Sequence, residues 1–196
     1  VGRSKTLNLQ VEIDQMGSGL QSDTRSVIVD HLPDENKVND IHLLFFKKSD
    51  DGTSSSYTGC YKVDGPVTLD TKFALDYDKV NDGNYSVLAF ANIEDYYINS
   101  PGLAATSLSD YLATLTPSTT LEEDVIKTTS LYVKKAQNLT DKAIKQDNLF
   151  MSGRTIKTDG DQLITLKLTR AVSRFDVQIL GDTHEIASVS IWNNAS

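Results

Sequence analysis

Three histidines, one cysteine and several groups of carboxylates are the side chains in this sequence best suited to chemistry. Histidine and cysteine together could hold zinc, which takes three or four such ligands at short spacings. His31, His42 and His184 stand far from one another and Cys60 has no second cysteine, so a zinc site is not expected. The pairs Asp50-Asp51 and Asp159-Gly160-Asp161, with Asp82, could supply oxygens to calcium. Each group contains or adjoins glycine between two strand-like runs, where Asp and Gly are the expected turn residues, and none has the spacing of a calcium loop. Glu122-Glu123-Asp124 reads as a solvated helix start, where negative charge is favourable, rather than as a catalytic carboxylate pair. Cys60, in the strand-like SYTGCYKV, reads as a buried structural thiol. Tyr57, Tyr61, Tyr96 and Tyr97 could form a face for stacking sugars, although tyrosine is also common on sheets. No Gly-x-Ser-x-Gly elbow, phosphate-binding loop or dinucleotide fingerprint is present. No enzyme, metal or cofactor is expected.

The elements that would position these groups are mostly strands. Leu7, Leu9, Val11 and Ile13 alternate with polar residues, the period-2 pattern of a half-buried strand. A loose segment rich in Gly, Ser, Asp and Gln follows and closes at Arg25. Ile41–Phe46 (IHLLFF) and Asn84–Asn92 (NYSVLAFAN) are apolar on both faces, as strands covered on each side must be. Ser56–Val63, Pro66–Leu75, Asn148–Met151 and Ile186–Trp192 read as further strands. In Leu163–Ile179, inward-pointing residues are even-numbered up to Leu168 and odd-numbered from Phe175. Such a change of face needs a bulge or bend, here near Arg170–Ser173, where a strand can pass from one sheet of a sandwich to the other. Between Glu94 and Asp147 the character changes. Ser107 is a natural N-cap with Asp110 three residues on, and Leu108, Tyr111, Leu112 and Leu115 share one helical face ended by Pro117. Leu121–Ile144 is expected to add one or two short helices.

The 196 residues, 39% hydrophobic and 23% charged, suit a globular domain, and a net charge of −8 with pI near 4.8 argues against nucleic acid as a partner. The expectation is a mainly β sandwich with helix confined to residues 94–147.

The order of NYSVLAFAN, a helix, NLFMSG and then LKLTRAVSRFDVQI resembles the Bacteroidales fimbrillin family, the subunits of type V pili and their relatives. The resemblance runs across essentially the whole chain. It implies a transthyretin-like two-sheet β-sandwich, residues 1–196, forming the N-terminal domain of a two-domain pilin. The family's second domain, with its donor strand, is expected to follow a strand like Ile186–Trp192, so the sequence is expected to be either a fragment or a short variant that cannot donate a strand. It also implies export as a lipoprotein to the outer membrane, assembly into a cell-surface fimbrium, and a role in adhesion through host surface ligands. Its partners would be other pilin subunits, one of them a strand donor, and an arginine-specific maturation protease. That protease would cut between Arg25 and Ser26 and release residues 1–25, including the first-strand residues Leu7, Leu9, Val11 and Ile13. The residues themselves agree in one respect: Gly17–Thr24 is the kind of segment a protease reaches, and losing the strand would withdraw four core side chains. The alternative reading is a surface glycan-binding lipoprotein domain that stacks sugars on the four tyrosines.

Overall fold

The computed structural model describes residues 6–14, 33–75, 83–102, 104–135 and 146–171. Its strands are β1 (Leu7–Ile13), β2 (Asp40–Lys48), β3 (Ser55–Asp64), β4 (Lys72–Leu75), β5 (Tyr85–Ala91), β6 (Tyr96–Ile98), β7 (Thr106–Ser107), β8 (Val133–Lys135), β9 (Met151–Lys157) and β10 (Leu163–Arg170). Two helices, α1 (Leu108–Ala113) and α2 (Glu122–Tyr132), lie between β7 and β8. The molecule is mainly β and sandwich-like.

Seven strands form one sheet in the order β3-β2-β5-β9-β10-β1-β4, and three form a small second sheet, β7-β6-β8. The large sheet curls so that its two ends face each other. Leu7, Leu9 and Val11 of β1 and Ile164, Leu166 and Leu168 of β10 share one apolar core with Ile41, Leu43 and Phe45 of β2 and Val87, Ala89 and Ala91 of β5. The two layers of the sandwich are therefore halves of a single sheet, joined where β9 meets β10. At that corner Gly153 lies against the backbone of β10: a Cβ there would stand 2.4 Å from the Lys167 carbonyl oxygen. Only glycine permits so close an approach without moving a strand.

The opposite face of β2 and β5 carries a second core. Leu44, Phe46, Leu88 and Phe90 pack there against Leu108 and Leu112 of α1, Val125 of α2, and Tyr96 and Ile98 of β6. This explains why IHLLFF and NYSVLAFAN are apolar on both faces, since each is covered by the sandwich on one side and the helical layer on the other. The α1 start follows the sequence: the Ser107 hydroxyl accepts the Asp110 backbone N–H at 3.0 Å. The stretch expected as a strand over Pro66–Leu75 is a strand only from Lys72, because Asp70 adopts a positive φ of 58° that breaks the extended run.

The strand expected at Ile186–Trp192 and the second half of Leu163–Ile179 lie outside the described residues, as do all but the first two residues of the bend expected over Arg170–Ser173.

Candidate functional site

The feature that sets this sandwich apart is the seat of its first strand. β1 lies inside the sheet, between β10 and β4. It runs parallel to β10 in the register Asn8↔Leu163 through Ile13↔Leu168, and antiparallel to β4 in the register Leu7↔Leu75 through Gln10↔Lys72. Its backbone is tied at both ends. The Asn8 N–H donates to the Gln162 carbonyl at 2.8 Å, and the Asp14 N–H to the Leu168 carbonyl at 2.7 Å. On the other edge the Val11 carbonyl accepts the Asp70 N–H at 2.9 Å.

Alternation does the rest. Leu7 is 5% exposed and Leu9 and Val11 are wholly buried, whereas Asn8 and Gln10 face outward. Ile13 is half-buried at the edge of the core, so three of the four expected core residues are fully inside, not four. The strand thus plugs an apolar slot whose walls come from residues more than 60 positions away in sequence. Arg25 and Ser26 lie outside the described residues, as do His31 and His184.

The tyrosines do not meet on one exposed face. Tyr57 is buried against Phe46, their ring centres 5.7 Å apart. Tyr96 is buried too, and its hydroxyl oxygen accepts the Phe150 backbone N–H at 3.3 Å. Tyr61 packs on the other core, against the sandwich side, and Tyr97 alternates away from Tyr96 on β6. On β6 strand parity separates Tyr96 from Tyr97; on β3 Tyr57 and Tyr61 have the same parity, and the bulge where the register passes from Phe45↔Gly59 to Phe46↔Tyr57 puts them on different cores.

Two further expectations are corrected. Glu122 is not solvated: it is 6% exposed, while Glu123 and Asp124 beside it are exposed. The Arg154 side chain on β9 donates to it through Nε at 2.6 Å and Nη2 at 3.4 Å, and the buried Ser86 hydroxyl on β5 donates as well. Burial alone would raise this carboxyl. The hydrogen bonds from Arg154, Ser86 and Ser55 outweigh burial and hold it below its ordinary value. The ion pair fastens the start of α2 to the sheet. Cys60 is exposed on β3 rather than buried. The protein around the sulfur nevertheless desolvates it and pushes the thiol up to about 11, so one open edge does not make it a thiolate at neutral pH.

Three more residues matter whose roles the sequence did not mark. Asn92 is wholly buried with φ 58°, and each end of its amide is used. Its oxygen accepts the Asn39 N–H at 2.8 Å, and its nitrogen donates to the Lys37 and Leu149 carbonyls at 2.9 and 2.8 Å. An Asn at the end of β5 was visible, and asparagine tolerates this left-handed geometry better than other residues with a side chain. Lys157 is 2% exposed, its ammonium 5.6 Å from the centre of the Tyr85 ring and within 3.3 Å of the Gly83 carbonyl. His42 is half-buried with Nε2 3.6 Å from an Asp40 oxygen, and burial lowers its pKa despite the pull of Asp40. Among the described residues no three His, Cys, Asp or Glu side chains gather to hold a metal, and no helix is long and apolar enough to cross a membrane.

Comparison with solved structures returns fimbrial proteins and adhesins. The chain is similar to a candidate adhesin from Bacteroides thetaiotaomicron at 15% identity and TM-score 0.49, covering 87% of this chain and 47% of that one. It is similar to a fimbrial assembly protein from Parabacteroides distasonis at 14% identity and TM-score 0.43, covering 83% and 52%. It is similar to the fimbrial anchor protein Mfa2 from Porphyromonas gingivalis at 14% identity and TM-score 0.40, covering 84% and 49%. The chain spans about half the length of each. A comparison with curated proteins finds no match. The sequence profile of one family covers residues 26–195, beginning just after Arg25, and on that match the chain belongs to the fimbrillin-A associated anchor proteins Mfa1 and Mfa2.

Proposed function

We propose that this chain is a structural subunit of a cell-surface fimbrium, assembled by protease-triggered strand exchange. In this reading residues 1–196 are the N-terminal, transthyretin-like domain of the subunit, and the precursor is held at the outer membrane as a lipoprotein. An arginine-specific protease cuts after Arg25. β1 then leaves the sheet, and a strand from a neighbouring subunit takes its place between β10 and β4.

One observation carries this reading: the first strand is an interior strand of the sheet, yet the family match begins after it, at residue 26. A segment outside the matched domain supplies three buried side chains to its core. A sheet that lacks such a strand presents unpaired backbone groups on β10 and an open apolar groove, and strand addition satisfies both at once. Adhesion through host surface ligands would be a property of the assembled fimbrium. The burial of Tyr57 and Tyr96 removes the support for a stacking platform, so the glycan-binding alternative is not pursued.

The test is limited digestion with an arginine-specific protease, followed by intact mass and size-exclusion chromatography. The expected result is one fast cut after Arg25, with residues 1–25 retained until mild denaturant or a competing strand peptide displaces them. Resistance at Arg25, or a cut that changes neither stability nor assembly, would overturn the mechanism.

A further inference from the structure

β1 is closed in on both edges, and the two walls of its slot differ in kind. β10 has two registered pairs with β9, Thr169↔Ser152 and Arg170↔Met151, and is anchored along the slot by three buried side chains, Ile164, Leu166 and Leu168. β4 has only four residues, and among the described residues β1 is its sole strand neighbour. Of its side chains only Leu75 is buried, Phe73 is half-buried, and Lys72 and Ala74 are exposed. The segment leading to β4 is well rooted. The Val67 N–H donates to the Val38 carbonyl at 2.9 Å, and a Cβ on Gly65 would stand 2.2 Å from the Asn39 carbonyl oxygen. β4 is thus a short strand with a fixed root, seated in the core by one buried side chain, Leu75.

We infer that β4 is a strap over the slot: it opens before β1 does, and its opening turns β1 from an interior strand into an edge strand. An interior strand must break both ladders to leave, here six registered pairs with β10 and four with β4. An edge strand can be peeled residue by residue while a competitor pairs behind it. Local openings draw on the segments with fewest buried apolar contacts, and β4 is such a segment. The role of the strap as a gate rests on the proposed strand exchange. Its opening does not, and can be measured on the uncut chain.

The experiment is hydrogen exchange by mass spectrometry on the full, uncut protein, comparing residues 72–75 with residues 7–13. The expected result is that the amides of β4, and those of β1 that face it, lose protection at least about tenfold faster than the β1 amides facing β10, a difference that corresponds to separate opening events. A single common rate for both strands would overturn the strap. The second arm uses the chain cut after Arg25 and a labelled peptide of residues 6–14. Leu75→Ala should speed its entry about tenfold, while Leu112→Ala in the helical layer, a comparable loss of buried surface, should leave the rate unchanged. Equal acceleration by both variants would overturn the gate. Early opening of β4 with no peptide entry in any variant would fault the exchange reading alone and leave the strap standing.

Discussion

Leu9→Ala is the sharpest perturbation of the first strand. Leu9 is wholly buried, in the centre of β1, and stands in register with Ile164 on one side and Phe73 on the other. Truncating a leucine so enclosed removes its transfer free energy and leaves a cavity that flanking strands cannot collapse into, a loss of about 3–5 kcal/mol. The neighbouring Gln10→Ala changes an outward side chain and should stay within about 0.5 kcal/mol. In equilibrium urea unfolding of the uncut chain, the first variant should move the midpoint down by roughly 1–3 M and the second should not. The same arithmetic bears on removal of the whole strand. Leu7, Leu9 and Val11 at about 1.5–3 kcal/mol each come to about 4.5–9 kcal/mol, an upper bound because the unfolded chain also hides some of this surface. Domains of this kind are stable by about 5–15 kcal/mol, so a chain without β1 would be marginal until another strand filled the slot. A Leu9→Ala loss below about 1 kcal/mol, or one equal to that of Gln10→Ala, would refute the reasoning.

Three other outcomes follow from the geometry. Glu122→Gln should cost about 1–2 kcal/mol at pH 7, at the lower end for a charged hydrogen bond because Arg154 is half exposed. Because the folded Glu122 carboxyl sits below its ordinary value of 4.5, its contribution is complete above that pH and is lost as pH falls through the lowered value. Thermal melts below pH 4.5 should therefore decline less steeply in Glu122→Gln than in the unaltered protein. Asn92→Ala should cost about 2–4 kcal/mol in the same urea assay, since it strands three backbone groups and forces alanine into a left-handed backbone, while Asn92→Gly should recover only about 1 kcal/mol of that. Cys60, exposed but with its thiol pushed up to about 11, should react slowly with iodoacetamide at pH 7 and about tenfold faster for each pH unit up to pH 10.

Much of this fold could be read from parity and periodicity. β1 emerged at its true limits, because alternation is unambiguous when polar residues fill every second place. The doubly apolar runs of β2 and β5 announced a layer on each side before any layer was known. What could not be read was adjacency. Nothing local in Leu163–Arg170 says that its parallel neighbour is Leu7–Ile13, because parallel ladders join segments that share no turn. The strand expected over Pro66–Leu75 was too long because Asp70, a residue type that tolerates positive φ, takes φ 58° and donates its N–H to the Val11 carbonyl, a contact far away in sequence. Glu122 was misread because a carboxylate at a helix start is usually solvated, and its partner Arg154 lies 32 residues on. The tyrosine pairs show the converse hazard: Tyr96 and Tyr97 adjoin in sequence and so must face opposite ways on a strand.

In the proposed exchange the slot between β10 and β4 accepts a strand once the first one is cut loose. Fluorescence anisotropy of a labelled peptide of residues 6–14, titrated with chain cut after Arg25, measures this directly. Saturable uptake of one peptide per cut chain, with none by the uncut chain, is the expected result. No uptake by the cut chain, or equal uptake by both, would contradict it.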